Sequence, residues 1–368
     1  MKTYKIFAIN PGSTSTKIAL FENEKKIYSA NVSHDSEELA KFTNISDQLP
    51  YRKETIDKLL EENKISLKDV DAFVGRGGGL LPLEGGTYEV DETILNHAQI
   101  GANGVAHPAQ LGSQLANEYS QEFGVKAFVV NPPDVDELQD VARVTGLKGI
   151  FRNVHLHALN LKETAIRHSE IEGRNYKESN YIVCHIGGGI SVSAHKKGQM
   201  VDGFDIVGGE GPMAPTRSGS ISVSNVIKYI KSQGISLDDT KSICTKNGGF
   251  VSHFNTSEAR EVFEKALAGD KYADLIWKAM LYQIGKCIGS MASVLSGNVD
   301  GILLGGGMVH NDHLVNYIKE NCGWIAPVFA YPGEFEMEAM ASGAIRVLEG
   351  KEEAKKYSGK PVWEGFNF

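Results

Sequence analysis

Residues 10–17 read N-P-G-S-T-S-T-K, a tight turn between two short apolar runs, Ile6-Phe7-Ala8-Ile9 before it and Ile18-Ala19-Leu20-Phe21 after Lys17. Asn-Pro-Gly is a strong turn signal, and the run beyond it has strand character. A polar turn at residues 22–26 then leads into a third strand over residues 26–32. The chain therefore opens as an antiparallel meander, whereas a dinucleotide-binding unit would pass from its glycine turn straight into a helix. The same order recurs half a chain later. Tyr181-Ile182-Val183-Cys184-His185-Ile186 reads as a strand, Gly187-Gly188-Gly189 as its turn, residues 190–195 as a second strand and residues 199–202 as the start of a third. Two such openings, much farther apart than solenoid repeats, read as two homologous domains.

Apolar residues at helical spacing occupy 55–63 and 109–123, and 272–295 is a long helix-favouring stretch. Runs with the character of buried strands lie at 71–75, 125–130 and 300–304, the last ending in Gly305-Gly306-Gly307. This alternation makes the fold α/β, with mostly parallel sheets extended by the two meanders. The polar tail, 351–368, reads as peripheral.

With 368 residues the chain exceeds one ordinary core and suggests two domains. Its 41% hydrophobic and 23% charged residues are typical of a soluble globular protein. A net charge of -8 argues against a general binder of nucleic acid or membrane surfaces, which are themselves anionic. Cys184, Cys244, Cys287 and Cys322 lack C-x-x-C spacing, which fits a reducing compartment and no structural zinc. The opening residues lack a signal-peptide core, and no stretch approaches the ~20 apolar residues of a membrane helix. The expectation is a cytoplasmic enzyme.

Several local patterns suit phosphate and carboxylate chemistry. In the first turn Gly12 permits close backbone approach, Ser13 and Ser15 can donate to phosphate oxygens, and Lys17 adds a point charge. The G-x-x-x-x-G-K spacing of a P-loop is absent. The two glycine triplets each end a buried strand, where open α/β sheets bind ligands, and together they favour a nucleotide. Arg76 in G-R-G-G-G and Arg217 in T-R-S-G offer planar, bidentate donors to an anion. His107, His157 and His185 are individually compatible with structural roles.

These segments resemble acetate and butyrate kinases, within the superfamily of sugar kinases, Hsp70 and actin. N-P-G-S-T-S-T-K resembles the opening motif of that family. G-V-A-H-P-A-Q-L-G at 104–112, V-D-E-L-Q-D-V-A-R at 135–143, H-A-L-N at 157–160 and H-I-G-G-G-I-S at 185–191 resemble its butyrate kinase branch. So do G-E-G-P at 209–212, R-S-G at 217–219 and T-S-E-A-R-E-V at 256–262. That branch includes branched-chain fatty acid kinases.

The resemblance implies two duplicated ribonuclease H-like (actin-like ATPase) domains with mixed sheets flanked by helices. The first would comprise residues 1–152 completed by 333–368, on the carboxylate side. The second, 153–332, would hold the nucleotide and a homodimer contact. Implied partners are ATP or ADP, Mg2+ and a short-chain carboxylate or its acyl phosphate. Catalysis in such an enzyme is positioning and charge stabilisation.

By position, Arg76 and Arg217 would bind the carboxylate and neutralise the phosphoryl group, and His157 would donate to it. His107 and Pro212 would line the substrate pocket. Asn10, Ser13, Ser15 and Lys17 would orient metal-bound phosphates, while His185, Gly187, Gly188 and Gly189 would hold the nucleotide phosphates. Glu258, Arg260, Gly305, Gly306, Gly307 and Asn311 would surround the adenosine. Asn10, Glu336 and Asn131 are the metal candidates. Small residues Gly77, Gly78 and Ala106 are expected to leave room for an acyl chain longer than acetate.

Two stretches depart from the family pattern. Val130-Asn131-Pro132 replaces V-D-P, whose aspartate serves magnesium and catalysis, and Asp134 would substitute only in a reshaped loop. G-F-D-I-V-G at 203–208 replaces an Asn-rich stretch. The expected reaction is phosphate transfer between ATP and butanoate. The alternatives are a kinase for a branched or other carboxylate, and a catalytically weakened paralogue that senses nucleotide or acyl phosphate. A sugar kinase is less well supported, because a hydroxyl nucleophile needs a carboxylate base.

Overall fold

In the computed structural model, which describes residues 2–104, 107–237 and 239–366, Ile6, Phe7, Ala8 and Ile9 are all fully buried. A strand apolar on both faces belongs in the middle of a covered sheet, and β1 (Lys5–Pro11) sits there. It pairs antiparallel with β2 (Ser15–Glu22), which pairs antiparallel with β3 (Lys25–Ser33). On its other side β1 runs parallel to β4 (Ala72–Gly75), followed by β6 (Lys126–Val130), with β5 (Thr87–Glu89) antiparallel at the edge. The order is β3-β2-β1-β4-β6-β5.

The Leu49–Glu62 and Leu111–Phe123 helices cover one face, placing Ile56, Leu60, Leu115 and Tyr119 against Phe7, Ile9 and Phe73. The Glu336–Leu348 helix packs on β1, β4 and β6 with the small buried residues Ala339, Ala341, Gly343 and Ala344.

The second unit repeats the plan. Its meander is β7 (Asn180–Ile186), β8 (Ile190–Lys196) and β9 (Gln199–Gly203), with β10 (Gly301–Gly306) and β11 (Val328–Pro332) added in parallel. Its order, β11-β10-β7-β8-β9, read from the other edge matches β3-β2-β1-β4-β6 strand for strand. The Ala158–Ile171 helix packs on β7 and β10, and the Lys271–Val294 helix packs on β7, β8 and β9. The duplication expected from the two turns is thus present in the topology.

The first unit runs to Asp136 and resumes at Phe335, and the second spans Glu137–Glu334. The sequence places these borders at 152/153 and 332/333. Glu137 is tied to the second unit by a buried ion pair with Lys162 at 2.6 Å and by the Met200 amide at 2.7 Å.

The tail is not loosely peripheral. Tyr357 is 5% exposed, and its hydroxyl bonds the Leu81 amide and the His97 ring, while Lys355 and Thr87 share a backbone hydrogen bond. Apolar Tyr357 outweighs the polarity of its neighbours.

One close approach sets the exit of β4. A Cβ on Gly75 would overlap the Gly112 carbonyl, and a Cβ on Gly112 would overlap the Arg76 backbone. The helix start therefore lies directly on the strand end that carries Arg76. Gly112→Ala is expected to cost about 1–3 kcal/mol by overpacking, measured as a lowered denaturation midpoint. An unchanged midpoint would contradict so tight an approach.

Candidate active site

In the first unit the N-P-G-S-T-S-T-K turn joins β1 to β2, closed by a 2.7 Å bond from the Gly12 amide to the Ser15 carbonyl. Asn10 is paired across the hairpin with Lys17, whose side chain is exposed. The Asn10 amide donates to Glu336 Oε2 at 2.7 Å. Glu336 opens the Glu336–Leu348 helix, so β1 and the returning C-terminal helix bring together two of the three expected metal residues.

The third, Asn131, has its amide oxygen engaged by the backbone. It is 3% exposed with a φ of 38°, a left-handed conformation that Asn tolerates better than most residues. Its Oδ1 accepts from the Gly86 amide at 2.7 Å, and its own backbone amide donates to the Gly86 carbonyl at 2.9 Å. Asp134 accepts from Asn103 at 2.6 Å. Both side chains thus brace loops.

Arg76 follows β4, 9% exposed, with its amide bonded to the Ile9 carbonyl. Its Nη1 is buried without a hydrogen-bond partner among the described residues, an arrangement that costs free energy until an acceptor arrives. His107 Nδ1 accepts from the Ala109 amide at 3.1 Å, which leaves the neutral ring's proton on Nε2. Though open to solvent at its surface, the ring is desolvated enough to lower its pKa, with Arg76 and Arg52 adding to the effect.

At Gly77 and Gly78 the space of the missing side chain is taken up by neighbours. Val129 and Pro132 fill the position of a Gly77 side chain, and Ala109 and Gln110 crowd that of Gly78. Ala106 lies outside the described residues.

In the second unit the glycine triplet follows β7, with the Gly187 amide bonded to the Gly189 carbonyl. Arg217 lies on it so closely that a Cβ on Gly189 would overlap the guanidinium. The Thr216 hydroxyl donates to the Gly188 carbonyl at 3.2 Å and fastens the Arg217 loop to the turn. Arg217 Nε and Nη1 are buried without partners among the described residues. Burial lowers its pKa, opposed by the Asp205 carboxylate.

His157 precedes the Ala158–Ile171 helix and stacks on His185, with ring centroids 4.1 Å apart. Its Nδ1 bonds the Ser191 hydroxyl at 2.8 Å, a contact that fixes the ring's orientation. Pro212 is buried beside Met213, at the base of the Arg217 loop.

Gly305 and Gly306 end β10, Gly307 begins the next turn, and Asn311 caps the Asp312–Cys322 helix through the Leu314 amide. Glu258 and Arg260 are exposed at the start of the Ala259–Leu267 helix. One turn farther along, Phe263 contacts the His313 ring at 5.4 Å, which sets this helix beside the segment that Asn311 caps.

Sequence reasoning passes over three residues of this setting. Ser191 is hidden as an alternating strand position, and Glu334, whose carboxylate lies beside Gly187, as part of a polar turn. Arg52 stands in an unmarked helix, yet its guanidinium lies directly behind the first turn.

Residues 148–321 match the acetokinase family. A protein named butyrate kinase 2 from Clostridium acetobutylicum is 44% identical over 354 residues, spanning 96% of this chain and 99% of that protein. The chain belongs to the acetokinase family. A probable butyrate kinase of Clostridium botulinum is 43% identical, covering 96% of this chain and all of that protein. The crystal structure of Porphyromonas gingivalis acetate kinase superposes with a TM-score of 0.75 at 18% identity, covering 94% of this chain and 100% of that one. A Francisella tularensis propionate kinase gives 0.71 at 17% identity over 92% and 98%. This member of the family therefore has the fold expected from its motifs.

If Asn131 braces Gly86 as the geometry shows, Asn131→Ala strands the part-buried Gly86 amide and strains the backbone. The expected loss is about 1–3 kcal/mol of stability, read from chemical denaturation. A variant as stable as the parent would show that the amide is dispensable.

Proposed function

We propose that this member of the acetokinase family transfers phosphate reversibly between ATP and a short-chain carboxylate, with butanoate or a branched relative as acceptor. One observation carries the reading most strongly: Arg76 and Arg217 each keep buried guanidinium N–H groups with no acceptor among the described residues. Such groups suit planar, anionic oxygens, which both carboxylates and phosphates supply. The near full-length relatives named butyrate kinase support the acceptor class.

In the proposed reaction a carboxylate oxygen attacks the γ-phosphorus, the bond to the bridging oxygen breaks, and ADP leaves with that electron pair. No general base is required, because the acid is already ionised near pH 7. Arg76 and Arg217 neutralise the carboxylate and the equatorial phosphoryl oxygens. His157 donates a hydrogen bond to the group in transfer. Asn10, Ser13, Ser15 and Lys17 orient phosphate oxygens, and His185 with Gly187, Gly188 and Gly189 holds the nucleotide phosphates. Glu258, Arg260, Gly305, Gly306, Gly307 and Asn311 form the adenosine wall.

Magnesium is held through few protein oxygens when phosphates and water complete its shell. The Asn10–Glu336 pair, one carboxylate and one amide in contact, fits that mode. Mg2+ there would neutralise phosphate charge. His107 and Pro212 line the acyl side. Asn131 acts by shaping the loop through Gly86.

ATP as donor suits a cytoplasmic enzyme, and no described helix is long and apolar enough to cross a membrane. A homodimer through the second unit is part of this reading. The Val223–Gln233 helix buries none of its residues, and Val223, Ile227 and Tyr229 stand exposed on it.

Hydroxylamine trapping of acyl phosphate, with acetate, propionate, butanoate and isobutanoate in turn plus Mg-ATP, tests the proposal. The expected result is acyl hydroxamate, most from a four-carbon acid. Arg76→Ala and Arg217→Ala should each lower turnover about 10²–10³-fold. Absence of acyl phosphate from every acid would overturn it.

A further inference from the structure

Arg52, on the Leu49–Glu62 helix, is 0% exposed, an unusual state for arginine unless its charge is paired. It makes no salt bridge to any described carboxylate; every acceptor around it is neutral. Nη1 donates to the Gly12 carbonyl at 2.9 Å, the Ser15 carbonyl at 3.4 Å and Thr16 Oγ1 at 3.2 Å. Nη2 donates to the Ser13 carbonyl at 3.0 Å, and Gln48 Oε1 takes both Nη2 and Nε. The remaining carbonyl of the turn, that of Thr14, accepts from the His34 amide at 2.9 Å.

Thus the carbonyl oxygens of Gly12, Ser13, Thr14 and Ser15 are all engaged within the protein, three of them by Arg52. The amides of Ser13 and Thr14, in contrast, donate to no acceptor among the described residues, and both residues are exposed. A turn sorted in this way presents donors outward. Released from Arg52, it would be free to show carbonyls to the same ligand and repel an anion.

We infer that Arg52 is a positioning residue for phosphoryl transfer, one that locks the residue 12–15 turn as a donor-only cradle and backs it with a fixed positive charge. Its ligand class is the phosphate chain of a nucleotide or the phosphoryl group of an acyl phosphate. This role rests on the proposed phosphotransfer activity. The side chain is sealed behind the turn, so it acts through the backbone and its field. Burial lowers its pKa to about 10, which leaves it charged at neutral pH. Its neighbour His34, bonded to Thr16 Oγ1 at 2.8 Å, has its pKa lowered to about 4 by burial and then by Arg52, so the charge behind the turn is Arg52's.

The test compares Arg52→Gln and Arg52→Lys with the parent enzyme, by steady-state kinetics and by calorimetric binding of Mg-ATP. Loss of several charge-assisted bonds should raise the KM for ATP at least about tenfold in Arg52→Gln. The carboxylate KM should stay within about twofold, and Arg52→Lys should recover part of the ATP effect. A merely structural role would lower the active fraction and leave both KM values in place, and that result in folded Arg52→Gln overturns the inference. If Arg52→Gln does not fold, an ATP KM for Arg52→Lys equal to the parent's overturns it. Should the parent make no acyl phosphate yet bind Mg-ATP in an Arg52-dependent way, the acceptor assignment fails and the role of Arg52 stands.

Discussion

Buried positive charge without a protein counter-ion is the constraint around which both units are arranged. Arg52, Arg76 and Arg217 each hold guanidinium atoms away from water, and none makes a salt bridge to a described carboxylate. Burying a charge in this state is costly, and a fold tolerates it where hydrogen bonds or an incoming anion offset the cost. Arg52 is satisfied by turn carbonyls and Gln48, while Arg76 and Arg217 keep donors unfilled among the described residues. In the proposed reaction the first shapes a binding surface, and the other two meet the anion.

Backbone proximity serves these charges. Gly75 and Gly112 let a helix start rest on the strand end before Arg76, and Gly189 lets the Arg217 guanidinium lie on the second glycine turn. In each unit the candidate residues lie where a meander strand turns and a parallel strand ends. The Asn10–Glu336 contact extends the logic, since it joins the first strand to the final helix of the same unit. An acidic protein can thus concentrate cationic donors locally while its overall charge stays at -8.

Much of this was legible in the sequence because periodicity and turn chemistry are local. The strand–turn–strand openings at 10–17 and 181–195 sufficed for the duplicated α/β plan, and Arg76 and Arg217 stood out by their glycine-rich settings. What escaped depends on long-range packing. Arg52 lies 40 residues from Gly12, in a helix whose local polarity suggests a solvated face. Gly77 and Gly78 suggest open space in the sequence, but a missing side chain leaves room that neighbours fill, here Val129, Pro132 and Ala109. For Asn131 the sequence shows only a lost charge, while its left-handed backbone and bond to Gly86 become visible only in three dimensions.

In the proposed phosphate cradle the first turn keeps its carbonyls engaged within the protein and leaves the Ser13 and Thr14 amides, both of exposed residues, to donate to phosphate. The most direct test follows the backbone amide resonances of Ser13 and Thr14 in isotope-labelled protein during titration with Mg-ATP. Saturable downfield shifts of both amides are predicted at the nucleotide's dissociation constant, as each proton gains an anionic acceptor. Amides of Ser13 and Thr14 that stay unmoved while nucleotide saturates the protein would contradict it.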